Sequence, residues 1–134
     1  MAKESGIGGT LTVDDAGGSG RAITNDVTSM TFNTTRAVQD VTGLDKSAME
    51  RLLLLNDFSI TINFVFNDTT DTGAFNVFKA VSDNDTRTVV YAHSGNTLTA
   101  ECVLTSVNYN RAQDGSLTGS ANLVLANGTA AAWT

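Results

Sequence analysis

The sharpest pattern in the chain is the alternation over residues 58–66, where Phe58, Ile60, Ile62, Phe64 and Phe66 fall on one side and Ser59, Thr61, Asn63 and Val65 on the other. A strict period of two predicts a strand with one face in the core. A second strand, from Thr97, sends Leu98, Ala100, Cys102 and Leu104 inward. The parity then changes so that Val107 and Tyr109 continue the apolar row, which predicts a bulge near Thr105 and Ser106. After the turn Gln113-Asp114-Gly115, the apolar-side set Leu117, Gly119, Ala121, Leu123 and Leu125 alternates with Thr118, Ser120, Asn122 and Val124, so residues 97–125 read as a hairpin. Weaker strand patterns cover residues 7–13, 26–35 and 86–93, the first two separated by a Gly/Asp-rich loop at 14–20.

Two short helices are predicted between these strands. Asp45 or Ser47 can cap the first, Glu50 completes a capping box with Ser47, Leu44 can act as a staple, and Ala48, Met49, Leu52, Leu53 and Asn56 share a helical face. The second spans 74–81 after Gly73, with Phe75, Phe78 and Val81 as its buried side. The expected fold is mainly β: a single domain over 1–134, an antiparallel β-sandwich or barrel with one or two short helices on one side. Residues 34–43 read as an extended arm or loop.

Composition sharpens this picture. The chain of 134 residues has no proline, although average usage is about 5%. Its lysines, Lys3, Lys46 and Lys79, lie outside the predicted strands. Proline and lysine are the usual guards of sheet edges, so either the edges are open for assembly or bulges and loops protect them. The longest apolar run, the leucines at 52–55, is far short of the roughly 20 residues needed to span a bilayer, and no membrane binding is expected. The first residues lack the apolar segment of a secretory signal, so synthesis and folding in a cytoplasm are expected. A net charge of −6 without a Lys/Arg cluster argues against gripping nucleic acid, while suiting a surface that a polyanion slides past.

No constellation of catalytic residues emerges, and no enzyme activity, cofactor or metal is expected. His93, the only histidine, sits where a strand runs into a turn, without a nucleophile elbow nearby. Cys102, the only cysteine, lies on an apolar strand face and reads as a small buried hydrophobe. The acid clusters Asp14-Asp15, Asp68 with Asp71, and Asp83 with Asp85 fall in predicted turns, where Asp belongs for backbone reasons, and the last lacks the glycine and glutamate of an EF-hand. Asn-x-Thr acceptors at Asn33, Asn67, Asn84 and Asn127 follow from the abundance of Asn and Thr.

Several segments resemble the major tail (tail tube) protein family of long-tailed bacteriophages: VTGLDKSAMERLLLLNDFSITINFVFND (41–68), GAFNVFKAV (73–81), RTVVY (87–91), LTAECVLTS (98–106) and RAQDGSLTGSANLVLANGT (111–129). Together they cover most of the chain. Phe64 departs from the pattern, which favours a small residue there. The resemblance implies a structural subunit that self-assembles into hexameric rings, stacked into a hollow tube that carries DNA without binding it specifically. Its implied partners are further copies of itself and other tail proteins, such as tape measure, tail terminator and tip proteins. Its implied location is the phage tail of the virion, assembled in the host cytoplasm. A long loop reaching an adjacent subunit or ring is also implied, which makes Arg36, Val38, Gln39, Asp40 and Val41 the candidate inter-subunit contacts.

Two other readings stand beside it. One is a monomeric β-sandwich module binding carbohydrate or a protein partner. The other keeps the tube but places it in a phage-derived injection or gene-transfer particle.

Overall fold

Strands account for most of the computed structural model, which describes residues 3–81 and 85–134. In chain order these are β1 (Thr10–Asp14), β2 (Gly20–Ala22), a 3-10 turn (Thr24–Asp26), β3 (Val27–Asp40), β4 (Arg51–Val65), helix α1 (Ala74–Phe78), β5 (Arg87–His93), β6 (Asn96–Arg111), β7 (Leu117–Leu125) and β8 (Ala132–Trp133). All pairings are antiparallel, in the order β2-β1-β5-β6-β7-β4-β3, with β8 beside the start of β6.

The long strand β6 serves two layers. Its first half pairs with β5 through Cys102, and its second half pairs with β7 from Cys102 to Arg111. The predicted bulge is present as a register shift between Leu104 and Ser106. The sheet therefore folds over itself, and the inward side chains of both halves meet. Leu11, Val13, Val89, Leu98 and Ala100 from one layer and Phe58, Ile60, Ile62, Ala121 and Leu123 from the other form one buried cluster. Along one side Phe32 of β3 meets Tyr91 of β5 and Trp133 of β8, with ring centroids 5.6 and 6.1 Å away.

Helix α1 closes one end. Ala74, Val77 and Phe78 are buried, and Phe78 stacks at 5.3 Å on Phe64. Asp26, itself buried, accepts hydrogen bonds from the Ala74 amide (2.9 Å) and the Asn67 side chain (3.0 Å), so a long-range carboxylate supplies the cap that Gly73 cannot. Arg87, also buried, donates to the carbonyls of Ala80 (3.1 Å), Asp14 (3.3 Å) and Val77, tying the residues after the helix to β1.

Three expectations require correction. The helix expected after Ser47 does not form: residues 41–50 are the end loop of a hairpin, and 51–57 extend β4. Pairing with β3 satisfies the backbone of the leucine run, which continues the alternating strand at Phe58 outward without a break. Residues 34–43, read as an extended arm or loop, are strand as far as Asp40, the outer half of β3, and only 41–43 lie outside it, at the start of the end loop. The second helix ends at Phe78, leaving Val81 exposed and Phe75 half-buried; Phe66 points partly outward and stacks on Phe75 at 4.5 Å.

Phe64 is fully buried, and its room comes from directly across the strand pair. It faces Gly119, where an added Cβ would lie 2.5 Å from the Phe64 ring. The aromatic covers the glycine.

Candidate assembly surface

β4 pairs with β7 only over Ser59–Val65, yet its pairing with β3 continues outward to Arg51. The outer part is a two-stranded ribbon projecting from the sheet, roughly 20 Å long at the usual rise per residue. A free two-stranded ribbon is marginal in water. Its end is held by side-chain and backbone bonds: the Thr42 hydroxyl donates to Asp40 Oδ1 (2.7 Å) and accepts from the Glu50 amide (2.8 Å), and the Val41 amide donates to the Glu50 carbonyl (2.9 Å). Both Thr42 donors hold the Asp40 carboxyl below its ordinary value of 3.8.

A second irregularity lies within the ribbon. The register steps from Arg36↔Asn56 to Val38↔Leu53, which places one extra residue in β4. The Arg36 side chain donates to the Leu54 carbonyl (3.2 Å) at this bulge. Beyond it, Val38 and Leu53 continue the face that carries Phe32 and Ile60 nearer the body, and Leu52 pairs with Gln39 on the opposite face. Both faces carry uncovered leucines: Leu52, Leu53, Leu54 and Leu55 are 53%, 62%, 44% and 86% exposed. Leu44 and Met49 in the end loop are exposed as well.

The predicted contact residues therefore come together. Arg36, Val38, Gln39 and Asp40 line up on outer β3, with Val41 beginning the end loop. Sequence reasoning missed their neighbours across the ribbon, Leu52 and Leu53 in register and Leu54 and Leu55 at the bulge, because their spacing also fits a helical face. The only signal was the continuity of that run with the alternating segment at Phe58.

Open edges form the second part of the surface. Among the described residues, β3 pairs with β4 alone along its whole length. Among the described residues, no strand pairs with the β5 side of β6 beyond Cys102. The layer β6-β7-β4-β3 thus has an unpaired edge on each side, with no lysine or proline in its strands.

The residues with candidate chemistry are dispersed, apart from Asp15 and Asp71, which meet across Arg21. Nε2 of His93 lies 3.7 Å from Glu4 Oε2 at a strand end. Cys102 is fully buried, and burial pushes its thiol up to about 12. Asp15 accepts from the amides of Gly17 (2.9 Å) and Ser19 (3.0 Å) and from Arg21 (2.9 Å), which is turn chemistry reinforced by an ion pair. Arg21 also reaches Asp71 at 3.2 Å. Asp83 and Asn84 lie outside the described residues. Among the described residues, no cluster of three or more His, Cys, Asp or Glu side chains could hold a metal.

Comparison with solved structures gives whole-chain matches. Over 98% of its length the chain superimposes on 99% of a chain from the virion of a native gene transfer agent particle, with a TM-score of 0.77 and 17% identity. The same coverage holds for a chain from the tail of an empty gene transfer agent particle with C6 symmetry, at TM-score 0.78 and 18% identity. The shared property is the fold. A chain of the phage P2 baseplate in its activated conformation with calcium matches more distantly, at TM-score 0.53 and 10% identity, and the match spans 45% of that chain. No protein-family model matches the sequence, and no curated protein matches it.

Proposed function

We propose that the chain is a structural subunit of a tail tube, which joins edge to edge into six-membered rings that stack into a hollow conduit for DNA. The observation that carries this reading is the pair of open edges on the layer β6-β7-β4-β3. Four antiparallel strands give edges of opposite direction, so a neighbour related by rotation about an axis along the strands presents its β6 to β3 in antiparallel register. Pairing two β3 edges about a twofold would stop at a dimer with both β6 edges open; head-to-tail addition fills every edge and closes a ring.

Six copies supply twenty-four strands, which at a spacing of about 4.8 Å make a ring roughly 37 Å across before strand tilt widens it. The ribbon, with Arg36, Val38, Gln39, Asp40 and Val41 beside the leucines, then covers its apolar faces on an adjacent subunit or ring. The whole-chain likeness to a chain of a C6-symmetric tail supports the six-fold choice. On this reading the protein works in the tail of a phage or gene-transfer particle, assembled in the host cytoplasm beside tape measure, terminator and tip proteins.

Electron microscopy of the purified native protein, with sedimentation across a concentration series, tests the proposal. Rings or tubes with six-fold end views are expected. A protein that remains monomeric at high concentration would be the binding module instead.

A further inference from the structure

The outward face of the layer β6-β7-β4-β3 has an unusual chemistry. Although 16% of the chain is charged, the segments 27–35, 58–65, 103–110 and 117–125 contain no Asp, Glu, Lys, Arg or His. The side chains on the face away from the core are mostly hydroxyls and amides, with Val65, Val103 and Val124 among them. Across the paired positions of the four strands stand Ser29, Thr31 and Asn33; Ser59, Thr61 and Asn63; Thr118, Ser120 and Asn122; and Ser106, Asn108 and Asn110.

Some of these groups bond one another across the strands. Thr61 donates to Asn122 Oδ1 (2.8 Å), Asn122 Nδ2 to Ser106 Oγ (2.9 Å), and Asn63 Nδ2 to Ser29 Oγ (2.9 Å). Most acids near this layer lie beyond these segments: Asp40, Asp45 and Glu50 at the ribbon end, and Asp68, Asp71 and Asp114 in loops at the other, while Asp57, next after Ser59 on the same face of β4, marks where the uncharged stretch stops.

We infer that this uncharged hydroxyl-and-amide face is the wall of the bore, and that DNA in transit is the partner it fits. The inference rests on the tube reading. In a ring closed through β3 and β6, the second layer must lie inside or outside. Packed sheets sit about 10 Å apart, so a layer on the inside would take some 20 Å or more from a diameter of roughly 37 Å and obstruct the conduit. With the second layer outside, the Ser/Thr/Asn face points inward.

Such a wall offers phosphate no cation, and so none of the counterion release that drives binding to DNA. It offers the bases no aromatic platform for stacking. It also lacks the carboxylates that would oppose entry of a polyanion along the passage. Most of the net charge of −6 is therefore carried away from the wall, with Asp57 at its ribbon-side margin, and passage over the uncharged stretch depends on the absence of stickiness rather than on repulsion.

Tubes of Ser59→Cys, or Asn63→Cys if the first assembles poorly, are compared with tubes of Thr99→Cys, an exposed position on the outer layer. A small maleimide is expected to label both, and a maleimide on a gold particle wider than the bore only Thr99→Cys, apart from terminal rings. Equal labelling of Ser59→Cys by the particle overturns the inference while leaving the tube intact. A wild-type protein that forms no tubes overturns the tube reading and this inference together. In a second arm, Asn63→Lys tubes should retain a short DNA duplex that salt releases, and wild-type tubes none. Salt-sensitive retention of the duplex inside wild-type tubes overturns the non-adhesive wall.

Discussion

Replacing Leu53 and Leu55 by threonine should uncouple folding from assembly. Threonine is a good strand former, so the ribbon can still pair. Both leucines are largely in water in the subunit, 62% and 86% exposed, so little folded-state burial is lost. If the neighbouring copy covers them, the exposed parts amount to nearly one and a half leucine side chains. Burying a whole leucine contributes about 1.5 to 3 kcal/mol, so the double variant forfeits roughly 2 to 4 kcal/mol per subunit on assembly. At tenfold per 1.4 kcal/mol, the lowest concentration that supports tubes should rise about 30- to 700-fold. Circular dichroism melting reports the subunit, and pelleting with negative-stain counting reports the tubes. A variant that melts like the wild type and builds tubes at the same concentration would show that the ribbon's apolar faces are not covered in the assembly.

Ile62→Ala empties a fully buried site and should cost about 2 to 5 kcal/mol, melting roughly 6 to 20 °C lower, whereas Thr61→Ala loses only a surface hydrogen bond; equal melting temperatures would refute the register. Gly119→Ala should destabilise by about 1 to 3 kcal/mol through the clash with Phe64, and Phe64→Leu should relieve it, so additive effects in a double-mutant cycle would contradict the packing. Native Cys102 should resist maleimide at mildly alkaline pH and react on unfolding, because its thiol is buried and pushed up to about 12; prompt native labelling would mean the core opens. The Arg21 side chain and the turn amides hold the Asp15 carboxyl below 3.8 when folded, so its contribution is present above that value and lost as pH falls through the lower folded value. Asp15→Asn should therefore lower the melting temperature at neutral pH, with the gap closing in strong acid; a gap that persists there would assign the effect to something other than charge.

The inward face of β4, the hairpin of β6 and β7 and the bulge between Leu104 and Ser106 were legible because each rests on a local period of two and on changes of parity. The buried Cys102 and the strand-end His93 followed from the same patterns. Other features depend on partners remote in sequence. β2 and β8, with three and two residues, are too short to show a period. The cap of α1 comes from Asp26, which precedes it by 48 residues. The space for Phe64 is made by Gly119, so the departure from the resembling sequences becomes intelligible only across the strand pair.

The failure at residues 45–57 has a different cause and bears on function. Ser47 with Glu50, followed by leucines at helical spacing, satisfies the local rules for a helix, yet the chain is a hairpin end and a strand. In a self-contained fold such leucines would pack on a core; here they leave the body along the ribbon and stay exposed on both of its faces. Local preference and observed structure disagree most where the isolated subunit satisfies its apolar groups least. On the tube proposal a neighbouring copy would resolve both at once, by supplying the apolar surface that fixes the ribbon as strand and covers the leucines. The conflict between pattern and structure thus marks the same segment that the geometry selects for assembly.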